Sequence, residues 1–161
     1  MENKKPISIF QLIFFILISQ LAGLIGSIFT RDSISTWYSS LIKPSFNPPN
    51  WLFGPVWIML YILMGISAYL IYKEGFKKKE VRLALGIFGI QLALNTLWSV
   101  IFFGLKSPFY AFIEIILLWA AIIFTISKFY RISKPAAYLL IPYILWVSFA
   151  AVLNISIFLL N

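Results

Sequence analysis

The 161-residue sequence contains no cysteine and no histidine. That double absence excludes disulfides, thiolate nucleophiles, haem ligation through either residue, and the usual zinc sites. It also removes the Ser–His and Cys–His pairs on which conventional hydrolysis depends. Charge is scarce as well: Asp, Glu, Lys and Arg make up 11% of the chain, and only five of those residues are acidic. Soluble globular domains carry about a quarter charged residues and about half apolar ones. Here the apolar share is 61%. No metal site and no resident cofactor is expected.

What the chain has instead is long apolar runs. A helix needs about 20 residues to cross the hydrocarbon core of a bilayer. Runs at 7–29, 51–72, 83–103, 108–127 and 136–160 meet that length, separated by short polar or charged stretches. The expected fold is therefore all-α, an integral membrane bundle of five transmembrane helices forming one domain over residues 1–161. The first run follows Lys4 and Lys5 and has Ala22–Gly23 near its end, as a secretory signal would. Its apolar stretch is too long for a signal's core, and it is read as a retained helix.

The formal charge is +8, but the basic residues do not interleave with aromatics as on a nucleic-acid surface. They gather at the ends of the apolar runs. Five crossings put Lys4, Lys5, the group Lys73, Lys77, Lys78, Lys79 and Arg82, and the group Lys128, Arg131 and Lys134 on one side. Arg31, Lys43 and Lys106 fall on the other. The positive-inside rule then predicts the N-terminus inside, with the C-terminus and the 30–50 loop outside. The expected partner is the lipid bilayer, at the plasma membrane, and not a nucleic acid.

The densest signal is Trp37–Gly65, WYSSLIKPSFNPPNWLFGPVWIMLYILMG, which holds three of the six tryptophans together with Pro44, Pro48, Pro49 and Pro55. Proline fixes φ and removes a donor, so Lys43–Pro49 is expected to be stiff and extended, with Pro55 in the first turn of the next helix. The 30–50 loop is long for a helical bundle. Its Trp37, Tyr38, Leu41, Ile42 and Phe46 argue against disorder. Anchoring at the bilayer interface and covering a pocket are both open readings, and they are compatible.

Inside the spans, polar and small residues carry the information. Ser19, Gly23, Gly26 and Thr30 form a small stripe that reads as helix packing, and Gln20 is a polar exception that can face the bundle interior. Trp57, Tyr61, Met64, Gly65 and Ala68 share one side of the second span. Gln91, Asn95, Trp98 and Phe102 share a face of the third, where the two amides must turn to a partner helix or a cavity. Gly86, Gly89 and Ala93 lie on another side and suggest a close helix contact, between subunits being one form of it. Glu114 is the only acidic residue within a span, and a structural hydrogen bond and a functional role are both open for it. Tyr110 lies one turn before it. In the fifth span Pro142 is expected to kink the helix or loosen it locally, followed by Trp146, Ala150, Leu153 and Asn154 on one stripe.

Three segments, WYSSLIKPSFNPPNWLFGPVWIMLYILMG, QLALNTLWSVIFFG and PYILWVSFAAVLN, resemble the signatures of the translocator protein family. Its bacterial members are called tryptophan-rich sensory proteins (TspO), and its mammalian member was known as the peripheral benzodiazepine receptor. The resemblance implies a five-helix bundle, often a homodimer, with a pocket closed by the loop after the first helix. It implies binding of porphyrins, protoporphyrin IX among them, and of drug-like isoquinoline carboxamides and benzodiazepines. Carried over by motif, the pocket residues are Trp51, Trp57, Asn95, Trp98, Trp146, Ala150 and Leu153. The lid residues Trp37, Tyr38 and Phe46, and Tyr61 and Tyr110 in the spans, complete the candidate set. Phe46 and Tyr110 stand where the resemblance leads one to expect tryptophan. The mammalian cholesterol motif near the C-terminus has no counterpart in LNISIFLLN. Two functions follow as expectations: tetrapyrrole sensing or transport, and light- and oxygen-dependent breakdown of protoporphyrin IX with Trp51 and Trp146 as the catalytic indoles.

Overall fold

The computed structural model describes residues 8–161, so the expected span start at Ile7 and the basic pair Lys4 and Lys5 lie outside the described residues. Seven α-helices follow in order: α1 Ile9–Ser35, α2 Trp37–Ser40, α3 Asn50–Lys73, α4 Lys79–Ser99, α5 Pro108–Ile132, α6 Lys134–Tyr138 and α7 Ile141–Leu160. A π-helical turn, Val100–Gly104, extends α4, with the Leu105 N–H on the Val100 carbonyl at 2.8 Å. Counting α4 with its π turn and α6 with α7, five helical segments among the described residues are long and apolar enough to cross a membrane. The protein is an integral membrane protein of all-α architecture.

The helix ends follow local chemistry. Ser8 caps α1, its hydroxyl accepting from the Gln11 N–H. Pro108 opens α5, where its missing donor costs nothing. Lys73 and Arg131 lie in the last turns of α3 and α5, next to the negative end of the helix dipole. Gly75, at φ 118°, makes the turn that joins α3 to α4.

Helices α1, α4 and α5 run past the strictly apolar stretch at one end, because polar residues at the interface continue the backbone ladder. Thus α1 runs to Ser35, beyond the expected end at Phe29, and the loop starts correspondingly later. That loop is not wholly irregular: α2 occupies its first part, and the Asn47 N–H meets the Pro44 carbonyl at 3.0 Å, so Lys43–Pro49 contains a turn and is not uniformly extended. Pro55 is also displaced from its expected place. Pro49 caps α3, Asn50 opens it, and Pro55 therefore sits inside the helix, where the Trp51 carbonyl loses its normal partner. Around Pro142 the last span is loosened rather than kinked as one continuous helix. The break comes at Leu139–Leu140, between α6 and α7, and Pro142 lies in the first turn of α7.

Around the bundle the spans run α1, α3, α6–α7, α5, α4 and back to α1. The two ends differ. At the end carrying the α3–α4 connection the packing is closed: the Ser67 hydroxyl donates to the Ala136 carbonyl at 2.7 Å, and the Ser8 N–H donates to the Tyr69 hydroxyl at 2.9 Å. Leu60, Met64, Ala68, Ile71, Phe88, Ile122, Phe129 and Leu140 fill the interior there. α3 meets the last span mainly through α6, at that closed end, and beneath the 36–49 segment at the other end it touches α7 only slightly. The bundle is splayed at that end, and the space left is the site.

Candidate functional site

A cavity of about 520 Å³ occupies the lid half of the bundle. That size falls among pockets that take drug-sized or cofactor-sized molecules. Trp57 and Tyr61 of α3 stack against each other with ring centroids 5.5 Å apart, and Trp57 meets Tyr143 of α7 edge-on at 6.3 Å. Trp98 of α4 stacks on Phe102 of the π turn at 5.0 Å. Trp146 of α7 packs against Phe53 and Phe149 at 6.0 and 5.5 Å. The π turn matters because the extra residue rotates Phe102 and Phe103 together toward the cavity, their rings 4.9 Å apart.

The floor is polar in a confined way. The Tyr61 hydroxyl donates to Asn95 Oδ1, Asn95 Nδ2 donates to the Tyr143 hydroxyl at 2.9 Å, and that hydroxyl donates to Gln91 Oε1 at 2.8 Å. Gln91 Nε2 ends the chain against Met64 Sδ at 4.0 Å. One relay thus ties α3, α4 and α7 together, and only Tyr61 and Asn95 of its members line the cavity. On the far wall, Trp98 Nε1 donates to Asn154 Oδ1 at 3.0 Å while Asn154 Nδ2 donates to the Pro108 carbonyl at 2.8 Å. The polar atoms of the floor are mostly engaged, so a guest meets ring faces and few free donors.

The roof is α2 and the segment after it. Tyr38 is buried, packs on Phe102 and Phe103, and donates its hydroxyl to Asn47 Oδ1 at 2.8 Å. Burial pushes its phenol above the usual tyrosine range, with the Asn47 hydrogen bond pulling the other way. Lys43 lies over the Tyr38 ring at 4.9 Å. Beyond it, the Ile42 N–H meets Asn161 Oδ1 at 2.9 Å and the Ile42 carbonyl accepts from Asn161 Nδ2 at 3.0 Å, which fastens the lid to the end of α7.

Of the residues expected at the site, Tyr38, Trp51, Trp57, Tyr61, Asn95, Trp98, Trp146, Ala150 and Leu153 come together around this cavity. Trp37, Phe46 and Tyr110 do not line it. Trp37 braces the lid from behind, edge-on to Phe102 at 5.5 Å, and Phe46 rests on Phe149 at 6.3 Å. Tyr110 is 65% exposed on the outside of α5. The indole of Trp51 is at the rim and 72% exposed. Glu114 accepts neither open reading in full: it is 4% exposed, lies outside the cavity lining, and neither carboxyl oxygen has a hydrogen-bond partner among the described residues. Gly86 and Gly89 face open space: a methyl group at either position would have nothing within 4 Å, so no described helix of the same chain uses them for close approach.

Sequence periodicity did not bring out the contribution of α1, where Gln20, Gly23, Leu24, Ser27, Thr30 and Ile34 form one side of the cavity. The small stripe was the available signal, but small residues mark a close helix contact as readily as a hollow. Phe53, Gly54, Ser99, Phe103 and Ile157 also belong to the lining.

The model of the TspO/MBR family matches residues 15–160. The chain is 49% identical over 139 residues to a tryptophan-rich protein TspO of Chlorobaculum tepidum, covering 86% of this chain and 88% of the relative. It is 46% identical over 155 residues to a tryptophan-rich protein TspO of Archaeoglobus fulgidus, covering 96% and 99%. Similarity extends to the translocator protein of Homo sapiens, 42% identical over 142 residues and covering 87% and 83%.

Proposed function

The chain belongs to the TspO/MBR family, and from that premise we propose that its cavity binds flat, largely apolar ring systems, protoporphyrin IX and isoquinoline carboxamide-type molecules among them, in tetrapyrrole sensing or transport. One observation carries the reading: four tryptophans, Trp51, Trp57, Trp98 and Trp146, converge on one cavity from three spans. Indole faces stack on extended π systems, and the engaged amides beneath them leave a surface suited to a planar guest. The names of the relatives, translocator protein and tryptophan-rich sensory protein, agree with a carrier or sensor. The membrane asymmetry of basic residues supports an N-terminus inside and a lid outside, at the plasma membrane. The open Gly86 and Gly89 face on α4 leaves room for a second copy of the chain as a homodimer.

The placement of Trp51 and Trp146 on the same cavity favours a second reading, light- and oxygen-dependent breakdown of the bound porphyrin, since indole is far easier to oxidise than phenyl. Titration of the purified protein with protoporphyrin IX in the dark, followed by illumination in oxygen, tests both. Saturable quenching of tryptophan emission is the expected result, and its absence rejects the binding reading. Trp51→Phe and Trp146→Phe keep a stacking ring, so each is expected to lower affinity by about 1 kcal/mol or less. Loss of light-driven conversion in these variants, with binding retained, selects the enzyme. Equal bleaching in wild type, variants and protein-free detergent selects the carrier.

A further inference from the structure

The path of α1 across the bundle leaves the cavity open on one side. In its first half α1 lies tightly on α3: a Cβ at Gly65 would sit 2.5 Å from Ile16 Cα, and one at Gly23 would overlap the Tyr61 ring. From Ala22 onward its partners change. The Thr96 hydroxyl donates to the Ala22 carbonyl at 3.0 Å, Gly26 lies against Ser99, Phe29 lies against Gly104, and the Ser33 hydroxyl donates to the Phe103 carbonyl at 2.9 Å. All of these belong to α4 or its π turn. The helix has moved from one neighbour to the other, and the start of α3 is left without α1 beside it. The last hydrogen bond between the two is Gln20 Nε2 donating to the Ile58 carbonyl at 2.9 Å.

The residues on either side of this wedge have a double character. Leu24 and Ser27 of α1, and Trp51, Gly54 and Ile58 of α3, all line the cavity, and all are exposed. Other lining residues, such as Tyr61, Phe102 and Asn154, are buried. The exposed set is therefore a rim and the buried set the interior. The rim lies within membrane-crossing helices and its large members are apolar, so it faces hydrocarbon. Among the described residues, the Gln20–Ile58 hydrogen bond closes the narrow end of the gap and no other hydrogen bond joins α1 to α3 toward the lid, whereas Tyr38, Asn47, Lys43, Ile42 and Asn161 fasten the roof.

We propose that ligands reach the cavity sideways from the lipid, through the gap between α1 and α3, while the lid stays closed. This inference rests on the reading of the cavity as a binding site for flat apolar molecules. It narrows the ligand class to membrane-dissolved amphiphiles: the ring slides between Leu24 and Ile58, and a polar edge remains at the lid end near Ser27, Thr30 and Asn50. Molecules confined to water, however well their rings would stack, have no such path.

The test compares the gap with the lid in lipid vesicles, using protoporphyrin IX preloaded into the bilayer and stopped-flow quenching of tryptophan emission. Gly54→Trp and Ser27→Trp each place bulk in the gap. A Cβ added at Gly54 has nothing within 4 Å, and Ser27 is exposed, so both positions accept the side chain. Each is expected to slow association by about tenfold or more, with dissociation slowed alongside it, since obstruction of a route changes both rates. The pair Ile42→Cys and Asn161→Cys, in a chain that otherwise has no cysteine, locks the lid on oxidation. The oxidised form is expected to bind at the rate of its reduced form. Arrest of binding by the lid lock, or unchanged rates in both gap variants, overturns the lateral route while leaving the cavity reading intact. Absence of quenching in the wild type overturns both.

Discussion

Tyr143 shows how a single hydroxyl can organise three spans. It accepts from Asn95 and donates to Gln91, and its ring stands edge-on to Trp57 above. Tyr143→Phe keeps the ring and strands both amides. An interhelical hydrogen bond in a bilayer contributes about 0.6 kcal/mol on average, so losing two should destabilise the fold by about 1 kcal/mol, and more where the stranded groups find no new partner. Reversible unfolding in mixed micelles is the measurement, and a loss below about 0.3 kcal/mol would show that the relay contributes nothing. Because Asn95 also lines the cavity, the same variant should loosen the floor and lower ring affinity. Glu114 stands apart from this network: a buried carboxyl with no partner among the described residues lowers stability where it sits, and nothing in the cavity uses it.

At the scale of helices, glycine has opposite meanings in α3 and α4. Gly65→Ala drives a methyl group into the backbone of α1, at Ile16 Cα, Ile16 N and the Phe15 carbonyl, which cannot yield without moving the helix; a loss of about 1–3 kcal/mol is expected. Gly86→Ala meets open space and should stabilise the isolated chain by about 0.5–1 kcal/mol, through reduced backbone freedom in the unfolded state. Thermal unfolding of the two variants side by side checks the contrast in sign. The sequence distinguishes neither case, since Gly65 and Gly86 both lie in apolar runs. The spans were legible because hydrophobic length is a local property. The Trp57–Tyr61 and Trp146–Ala150–Leu153 faces were legible because helical spacing puts them together. The shift of α1 from α3 to α4 depends on which neighbours its small residues meet, and no periodicity encodes that. Phe46, Trp37 and Tyr110 illustrate the same point: being aromatic and adjacent to the site did not determine on which side of the lid or helix each ring would lie.

For the molecule as a whole, basic residues collect at the end opposite the lid. Lys73, Lys77, Lys78, Lys79 and Arg82 sit between α3 and α4 or in their flanking turns, and Lys128, Arg131 and Lys134 around the α5–α6 junction, while Arg31, Lys43 and Lys106 stand near the lid. A chain without cysteine makes the resulting topology simple to test, since each introduced thiol is unique. In intact cells an impermeant thiol reagent is expected to label a cysteine at Ser40 and to spare cysteines at Lys78 and Ser133. The opposite pattern would invert the orientation drawn from the charges.

Asn161 meets Ile42 as a neighbouring strand would, offering an acceptor to its N–H and a donor to its carbonyl, and its amide nitrogen also reaches the Ile157 carbonyl of its own helix at 2.9 Å. Such a two-sided match sets register as well as proximity. A slip of one residue along the lid would present the wrong pair of groups and break both bonds together. The roof over the cavity is thus indexed to the last turn of α7, so that any rotation of that helix about its axis is transmitted to Tyr38 as a displacement of the roof.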